Sequence, residues 1–168
     1  AISLNGTTDT IFNSIEEIKS LIDNMPLNVM YCDVRDFKIQ YLNRKSLETL
    51  RTIAQLLPVP PEKIEGSCID IFHKNPEHQR KLLSNDKNLP HRSIISLGPE
   101  KLSLYATPVY DAKGKYVGVM QTWDVATQRL ENESNLARIQ SMMENAPINV
   151  MSADLNLNLV YINPKSRE

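Results

Sequence analysis

Three histidines are the side chains of this sequence that could bind a metal ion through a neutral ring nitrogen: His73, His78 and His91. His73 follows a compact apolar run, so the local sequence predicts that it is held on a rigid short helix among apolar side chains. His78 lies among charged neighbours in the first turn of the next helix, and His91 stands beside Arg92 at a strand start. Both are expected to be exposed. His73 is therefore the candidate ligand, although an ordinary half-buried histidine would show the same pattern.

The only tryptophan, Trp123, is the second candidate. Its indole N–H needs an acceptor when the ring is buried. Alternation along the predicted last strand places Val119 and Gln121 on the same face as Trp123, which makes Gln121 a polar neighbour. Core packing alone would also account for a tryptophan at this position.

Composition and charge exclude several classes of function. Nineteen basic residues against 20 acidic ones give a net charge of −1, so there is no basic field for nucleic acid or an anionic membrane. No apolar run approaches the ~18 residues of a membrane span, and no signal peptide is visible. Cys32 and Cys68 are lone cysteines, as expected for reduced thiols in a cytoplasmic protein. P-loop, HExxH and GxSxG motifs are absent, so an enzyme is not expected.

The hydrophobic pattern predicts an α+β protein. Helices are predicted over 9–24, 44–56, 76–83 and 127–145, and strands over 27–32, 38–42, 93–97, 101–109 and 116–125. Asn75 as an N-cap and Pro76 at the first helical position predict where the third helix starts.

Residues 21–48 and 142–168 have nearly the same sequence. Asn43 corresponds to Asn163, and one residue is lost in the hairpin turn. A shared tract this long predicts one complete module and the start of a second copy. The expected organisation is a linker helix at 1–25, a domain at 26–126, a linker helix at 127–146 and a truncated second domain at 147–168.

The lone hairpin at 148–163 has no sheet of its own in this sequence, and two strands alone are marginal in water. It is expected to pack on another chain, replacing or augmenting the 27–42 hairpin by domain swapping. The apolar stripe of helix 127–145 suits either a parallel coiled coil between two chains or packing on its own domain. A homodimer is therefore predicted.

The order of elements, repeated through helical joints, resembles the PAS domain. That family implies a five-stranded antiparallel sheet with short helices on one face, flanked by N- and C-terminal linker helices. The stretches NVM, KSLETLRTI, IFHKNPEHQR, NLPHR and WDV are similar to haem-binding PAS modules of soluble bacterial chemoreceptors of the aerotaxis type. These are methyl-accepting chemotaxis proteins with tandem PAS domains. The resemblance covers nearly the whole chain, and IFHKNPEHQR is its specific part.

The resemblance implies a haem b cofactor (iron protoporphyrin IX). Within this subgroup the iron ligand corresponds to His73, with Ile71 and Phe72 around it. In other haem PAS proteins the ligand comes from the next helix, which would favour His78.

The resemblance also implies that O₂ or another diatomic gas is stabilised opposite the histidine by Trp123. Leu104 would form an apolar wall of this pocket, and Gln121 is a lesser candidate donor. Gas binding would shift the last two strands and helix 127–145, which would relay the signal to a downstream chemoreceptor signalling domain. Two alternatives remain: a cofactor-free PAS module for dimerisation and relay, and a pocket for a small organic metabolite.

Overall fold

The structure is a computed structural model that describes residues 4–167. The chain divides into two compact units, of which the first ends at Val125 and the second begins at Ala126. Among the helices of the described residues, none combines the length and the hydrophobicity that a membrane span requires.

A five-stranded antiparallel sheet is the scaffold of the first unit. Its strands are β1 (Asn28–Asp33), β2 (Ile39–Leu42), β3 (His91–Leu97), β4 (Glu100–Tyr110) and β5 (Tyr116–Val125). Their order across the sheet is β2-β1-β5-β4-β3. The first and the last strand of the unit are therefore neighbours at its centre, and the predicted α+β architecture is confirmed.

The helices lie close to their predicted positions. They are α1 (Leu4–Asp23), α2 (Arg44–Thr52), α3 (Pro76–Leu83) and, in the second unit, α4 (Thr127–Glu144). Short 3₁₀ helices span Ala54–Leu56, Pro61–Lys63, Ile69–Phe72 and Asp86–Asn88. The predicted helix over 44–56 thus ends early and continues as a 3₁₀ turn. The first helix starts earlier than predicted, because apolar periodicity marks only its apolar face and not a polar first turn.

The N-cap predicted for α3 is present. The side chain of Asn75 accepts a hydrogen bond from the backbone N–H of His78 at 3.3 Å, and Pro76 occupies the first helical turn. This satisfies one of the free N–H groups at the helix start and fixes where the chain leaves the preceding segment.

The core lies on one face of the sheet, beneath α2, α3 and the 3₁₀ helices. The most deeply buried apolar side chains are Cys32, Ile39, Ile64, Ile69, Leu83 and Val119. Since they come from strands, helices and connections alike, the connections are part of the packed interior and not a loose cover.

One buried asparagine joins three elements of the first unit. Asn43, which is fully buried, donates through Nδ2 to the carbonyls of Ile22 and Leu27 at 3.1 and 2.8 Å. Its Oδ1 accepts from the backbone N–H groups of Val29 and Ser46, both at 3.0 Å. We call this set of bonds the asparagine junction. It ties the end of α1 to β1 and to the start of α2.

The second unit repeats this junction. It contains α4, the hairpin of β6 (Met151–Ala153) and β7 (Leu159–Ile162), and a 3₁₀ turn at Pro164–Arg167. Asn163 donates to the carbonyls of Met143 and Ile148 at 3.2 and 2.9 Å, and accepts from Val150 and Ser166 at 3.0 and 3.1 Å. The repeated sequence therefore makes the same local structure twice.

The two tracts differ at one buried hydroxyl. Tyr41 donates to a carboxylate oxygen of Asp23 at 2.6 Å. In the second unit the hydroxyl of Tyr161 is buried without a partner among the described residues. The residue corresponding to Asp23 is Glu144, whose longer side chain accepts from Gln140 instead.

Candidate functional site

An apolar cavity of about 30 Å³ lies between the sheet and the segment around the 3₁₀ helix Ile69–Phe72. Its lining residues are Met30, Leu50, Ile69, Phe72, His73, Ile95, Leu102, Leu104, Gln121 and Trp123. A space of this volume holds a water molecule or a diatomic gas. The cavity is therefore a candidate binding site for a very small ligand.

The structure brings together most of the residues singled out in the sequence. Phe72, His73, Leu104, Gln121 and Trp123 all line the cavity. Sequence reasoning missed Met30, Leu50 and Ile95, because apolar side chains at core spacing carry no signal that separates them from the rest of the core.

Ile71 is the predicted site residue that does not line the cavity; it packs against the core. The reason is the geometry of the 3₁₀ helix. With three residues per turn, side chains at i and i+3 share a face. Ile69 and Phe72 therefore point the same way, towards the cavity, and Ile71 does not.

The register of the central strands sets the far side of the cavity. Trp123 on β5 lies directly opposite Leu104 on β4, and Gln121 lies opposite Ala106. Because alternate residues of a strand share a face, Gln121 and Trp123 point to the same side of the sheet. Both are almost fully buried, with 4% and 7% of their surface exposed.

The indole Nε1 of Trp123 is buried without a hydrogen-bond acceptor among the described residues. Leaving a buried donor unpaired costs about 1–3 kcal/mol, and such groups are rare in native proteins. A cavity lined by this indole, by the amide of Gln121 and by His73 therefore favours a ligand that can accept a hydrogen bond.

His73 stands at the end of the 3₁₀ helix, where its backbone N–H donates to the carbonyl of Asp70 at 3.0 Å. Burial of the imidazole lowers its pKa below the usual value, and the nearby charge of Asp70 opposes this shift. The ring is therefore neutral near pH 7, which is the form that can ligate a metal.

The other two histidines lie elsewhere. His78 is exposed, as predicted, but His91 is half-buried, so its predicted exposure was wrong. Both line a separate surface groove of about 390 Å³ with Lys81, Leu82 and Asn88. Neither lines the cavity that contains Trp123, so of the three histidines only His73 does.

Asp70 is paired with Arg80. The Nε of Arg80 lies 3.1 and 3.0 Å from the two carboxylate oxygens of Asp70, and its Nη2 also contacts one of them. Hydrogen bonds from this guanidinium hold the pKa of Asp70 below its usual value. Sequence reasoning missed the pair because the two residues are ten positions apart, on different elements.

Comparison with known proteins agrees with this architecture. Residues 16–87 match the family described as PAS domain. The methyl-accepting chemotaxis protein McpB of Pseudomonas aeruginosa is 35% identical over 127 residues, which cover 73% of this chain and 18% of that protein. The chain thus spans less than one fifth of the length of this curated relative.

Solved structures give the same result. The structure titled "The Aer2 Receptor from Vibrio cholerae is a Dual PAS-Heme Oxygen Sensor" is 36% identical, with a TM-score of 0.55 over 59% of this chain and 93% of that one. An RNA-binding light-oxygen-voltage receptor is 14% identical, with a TM-score of 0.52 over 76% of this chain and 37% of that one, and shares the fold alone. The chain has a five-stranded sheet, residues 16–87 match the PAS domain model, and the match to the Aer2 structure covers 93% of that chain. The chain therefore belongs to the PAS domain family.

Proposed function

We propose that this PAS domain senses O₂ or another diatomic gas through haem b, which would be held in the cavity with His73 as its iron ligand. One observation carries the proposal. The cavity is lined on one side by a neutral imidazole and on the other by a buried indole N–H that has no acceptor among the described residues. When bound, haem would supply an iron centre that takes up diatomic gases reversibly.

The residue types fit a haem, but the cavity is too small for the macrocycle as it stands. The lining is apolar, with one imidazole at its edge, as a haem pocket requires. A volume of about 30 Å³ accommodates the gas and not a porphyrin. The proposal therefore includes outward movement of the segment that carries Phe72 and His73.

Four residues of the cavity would each have a separate role in binding the cofactor and the gas. His73 would hold the cofactor from the helical side. Trp123 would donate its indole N–H to the gas, Leu104 would keep water out, and Gln121 would be a secondary donor. Because Trp123 and Leu104 lie directly opposite each other on neighbouring strands, a movement of Trp123 would displace β4 through Leu104.

The signal would pass through the covalent connection between β5 and α4. Trp123 is two residues from the end of β5, and α4 begins at Thr127. A change at Trp123 would thus alter the end of β5 and the start of α4. The relationship to the methyl-accepting chemotaxis protein McpB supports a chemoreceptor signalling module as the downstream partner. A cytoplasmic location and a homodimer are part of the proposal. This role is sensory and includes no catalytic step.

The test is the visible absorption spectrum of protein reconstituted with haemin, recorded reduced, in air and under CO. We expect a Soret band that shifts with the gas, and its loss in His73→Ala. The matched control is His78→Ala, which should retain the band. Loss of haem in the His78 variant but not in the His73 variant would move the ligand to α3.

A cofactor-free relay module is the second candidate, and the small volume of the cavity favours it. It predicts that reconstituted protein remains colourless and that Trp123 is a core residue. The same spectrum separates the two functions, because a relay module gives no Soret band with any gas.

A further inference from the structure

Arg80 on α3 contacts three groups outside its own helix. Its guanidinium bonds to both carboxylate oxygens of Asp70, approaches the sulfur of Cys68 at 3.5 Å and lies 5.2 Å from the centre of the Phe37 ring. Bonds from Arg to both oxygens of a carboxylate are among the stronger polar contacts in proteins, and the aromatic face adds attraction for the cation. These contacts meet at the segment that precedes His73.

That segment forms one wall of the cavity through Ile69, Phe72 and His73. Its first part is tied to the sheet, since Ile69 donates to the carbonyl of Phe37 at 2.8 Å. Beyond Ile69 the described backbone bonds are local, such as that from His73 to Asp70. The pair between Asp70 and Arg80 is the side-chain bond that ties this part of the wall to α3.

We propose that the Arg80–Asp70 pair is a latch on the cavity wall: it positions His73 and sets how fast the cofactor enters and leaves. The inference rests on the proposed function, because it takes haem as the cofactor. The cavity must widen to admit a macrocycle, and the wall can move away from the sheet only if it separates from α3 or carries α3 with it. Opening the latch is the smaller of these movements.

The chain contains a matched control for the latch. Arg51 and Glu62 form another ion pair, with Nε 3.0 Å from Oε1 and with side chains 54% and 57% exposed. The latch is bonded through two nitrogens and its side chains are 46% and 22% exposed, so it is less screened by water. Arg51→Gln therefore removes the same chemistry at a site outside the cavity lining.

The test measures the transfer of haem from the holoprotein to excess apomyoglobin, and amide hydrogen exchange in the apoprotein. Arg80→Gln should speed haem loss roughly tenfold, whereas Arg51→Gln should leave it within about twofold. Asp70→Asn should match Arg80→Gln, and the double variant should be no faster, because each single change already opens the same latch. Equal rates for Arg80→Gln and Arg51→Gln would overturn the proposal.

Hydrogen exchange separates failure of the latch from failure of the haem proposal. In Arg80→Gln, exchange should rise over residues 69–75 and stay unchanged in β5, while a general loss of stability would raise both. If no form of the protein retains haem, the proposed function is wrong and the exchange pattern alone decides the latch. The latch would be contradicted by unchanged exchange over residues 69–75 in both Arg80→Gln and Asp70→Asn. If the Arg80 variant does not fold, the exchange measured in Asp70→Asn decides the question.

Discussion

At the scale of single residues, the unpaired indole of Trp123 is the feature that favours a binding site over ordinary core packing. A core tryptophan usually finds an acceptor for its N–H, and here the described residues around Nε1 provide none. The neighbouring Gln121 is buried as deeply and lines the same space. The unpaired indole N–H destabilises the empty protein, and a ligand that accepts a hydrogen bond would offset this cost.

Trp123→Phe tests this interpretation in the apoprotein and in the holoprotein. Truncating a buried aromatic commonly costs 3 kcal/mol or more, but this change keeps a ring and removes an unpaired donor. We expect the free energy of unfolding of the apoprotein to fall by less than about 1 kcal/mol, by urea denaturation followed by circular dichroism. In the holoprotein, dissociation of O₂ measured by stopped flow should be roughly tenfold faster, since one hydrogen bond to the gas is lost.

Leu102→Ala is the control for that comparison. It also changes the cavity lining but removes no donor, so it should cost the usual 2–5 kcal/mol or so. If Trp123→Phe destabilises the apoprotein as much as Leu102→Ala does, the indole N–H is satisfied in solution and the argument for a ligand loses its support.

At the scale of elements, the sequence predicted what depends on local pattern. The alternation of apolar residues predicted β5 with the bounds that the structure shows, and the Asn75-Pro76 signal predicted the start of α3. A short helix before His73 was predicted, but its 3₁₀ geometry was not, and its rotation per residue decides that Phe72 faces the cavity and Ile71 does not. The Arg80–Asp70 pair was not predicted either, since only the folded chain brings α3 against that turn.

The asparagine junction gives the element-scale prediction. Asn43→Ala would leave two buried N–H groups, those of Val29 and Ser46, and two partly buried carbonyls without the bonds that the side chain makes. It should therefore lower the free energy of unfolding of the first unit by roughly 3 kcal/mol. Urea denaturation followed by tryptophan fluorescence measures this unit alone, because Trp123 is the only tryptophan. Asn163→Ala is the matched control and should leave the transition in place, since its bonds lie in the second unit. A shift of similar size in both variants would mean that the two units unfold together.

At the scale of the whole molecule, apolar surface is left uncovered in both units. On α1, Ile11, Ile15 and Ile18 are more than half exposed and follow helical spacing. On the hairpin of β6 and β7, Met151 and Val160 are 63% and 66% exposed. Apolar surface of this kind marks contact sites, so both features support the predicted homodimer, which stays a prediction.

Introducing one charged residue at a time in the full chain tests which of the two surfaces forms the dimer contact. We predict that the hairpin is the main contact, because two strands without a sheet are marginal and gain most from a partner. Val160→Lys should then weaken the dimer at least tenfold or so in sedimentation equilibrium, since it places a charge in an apolar contact, and Ile15→Lys should change it far less. Both positions are exposed, so neither substitution should disturb the fold of a single chain.

A larger effect of Ile15→Lys than of Val160→Lys would place the contact on α1 and leave the hairpin without a role in dimerisation. A monomeric parent chain would refute the homodimer itself.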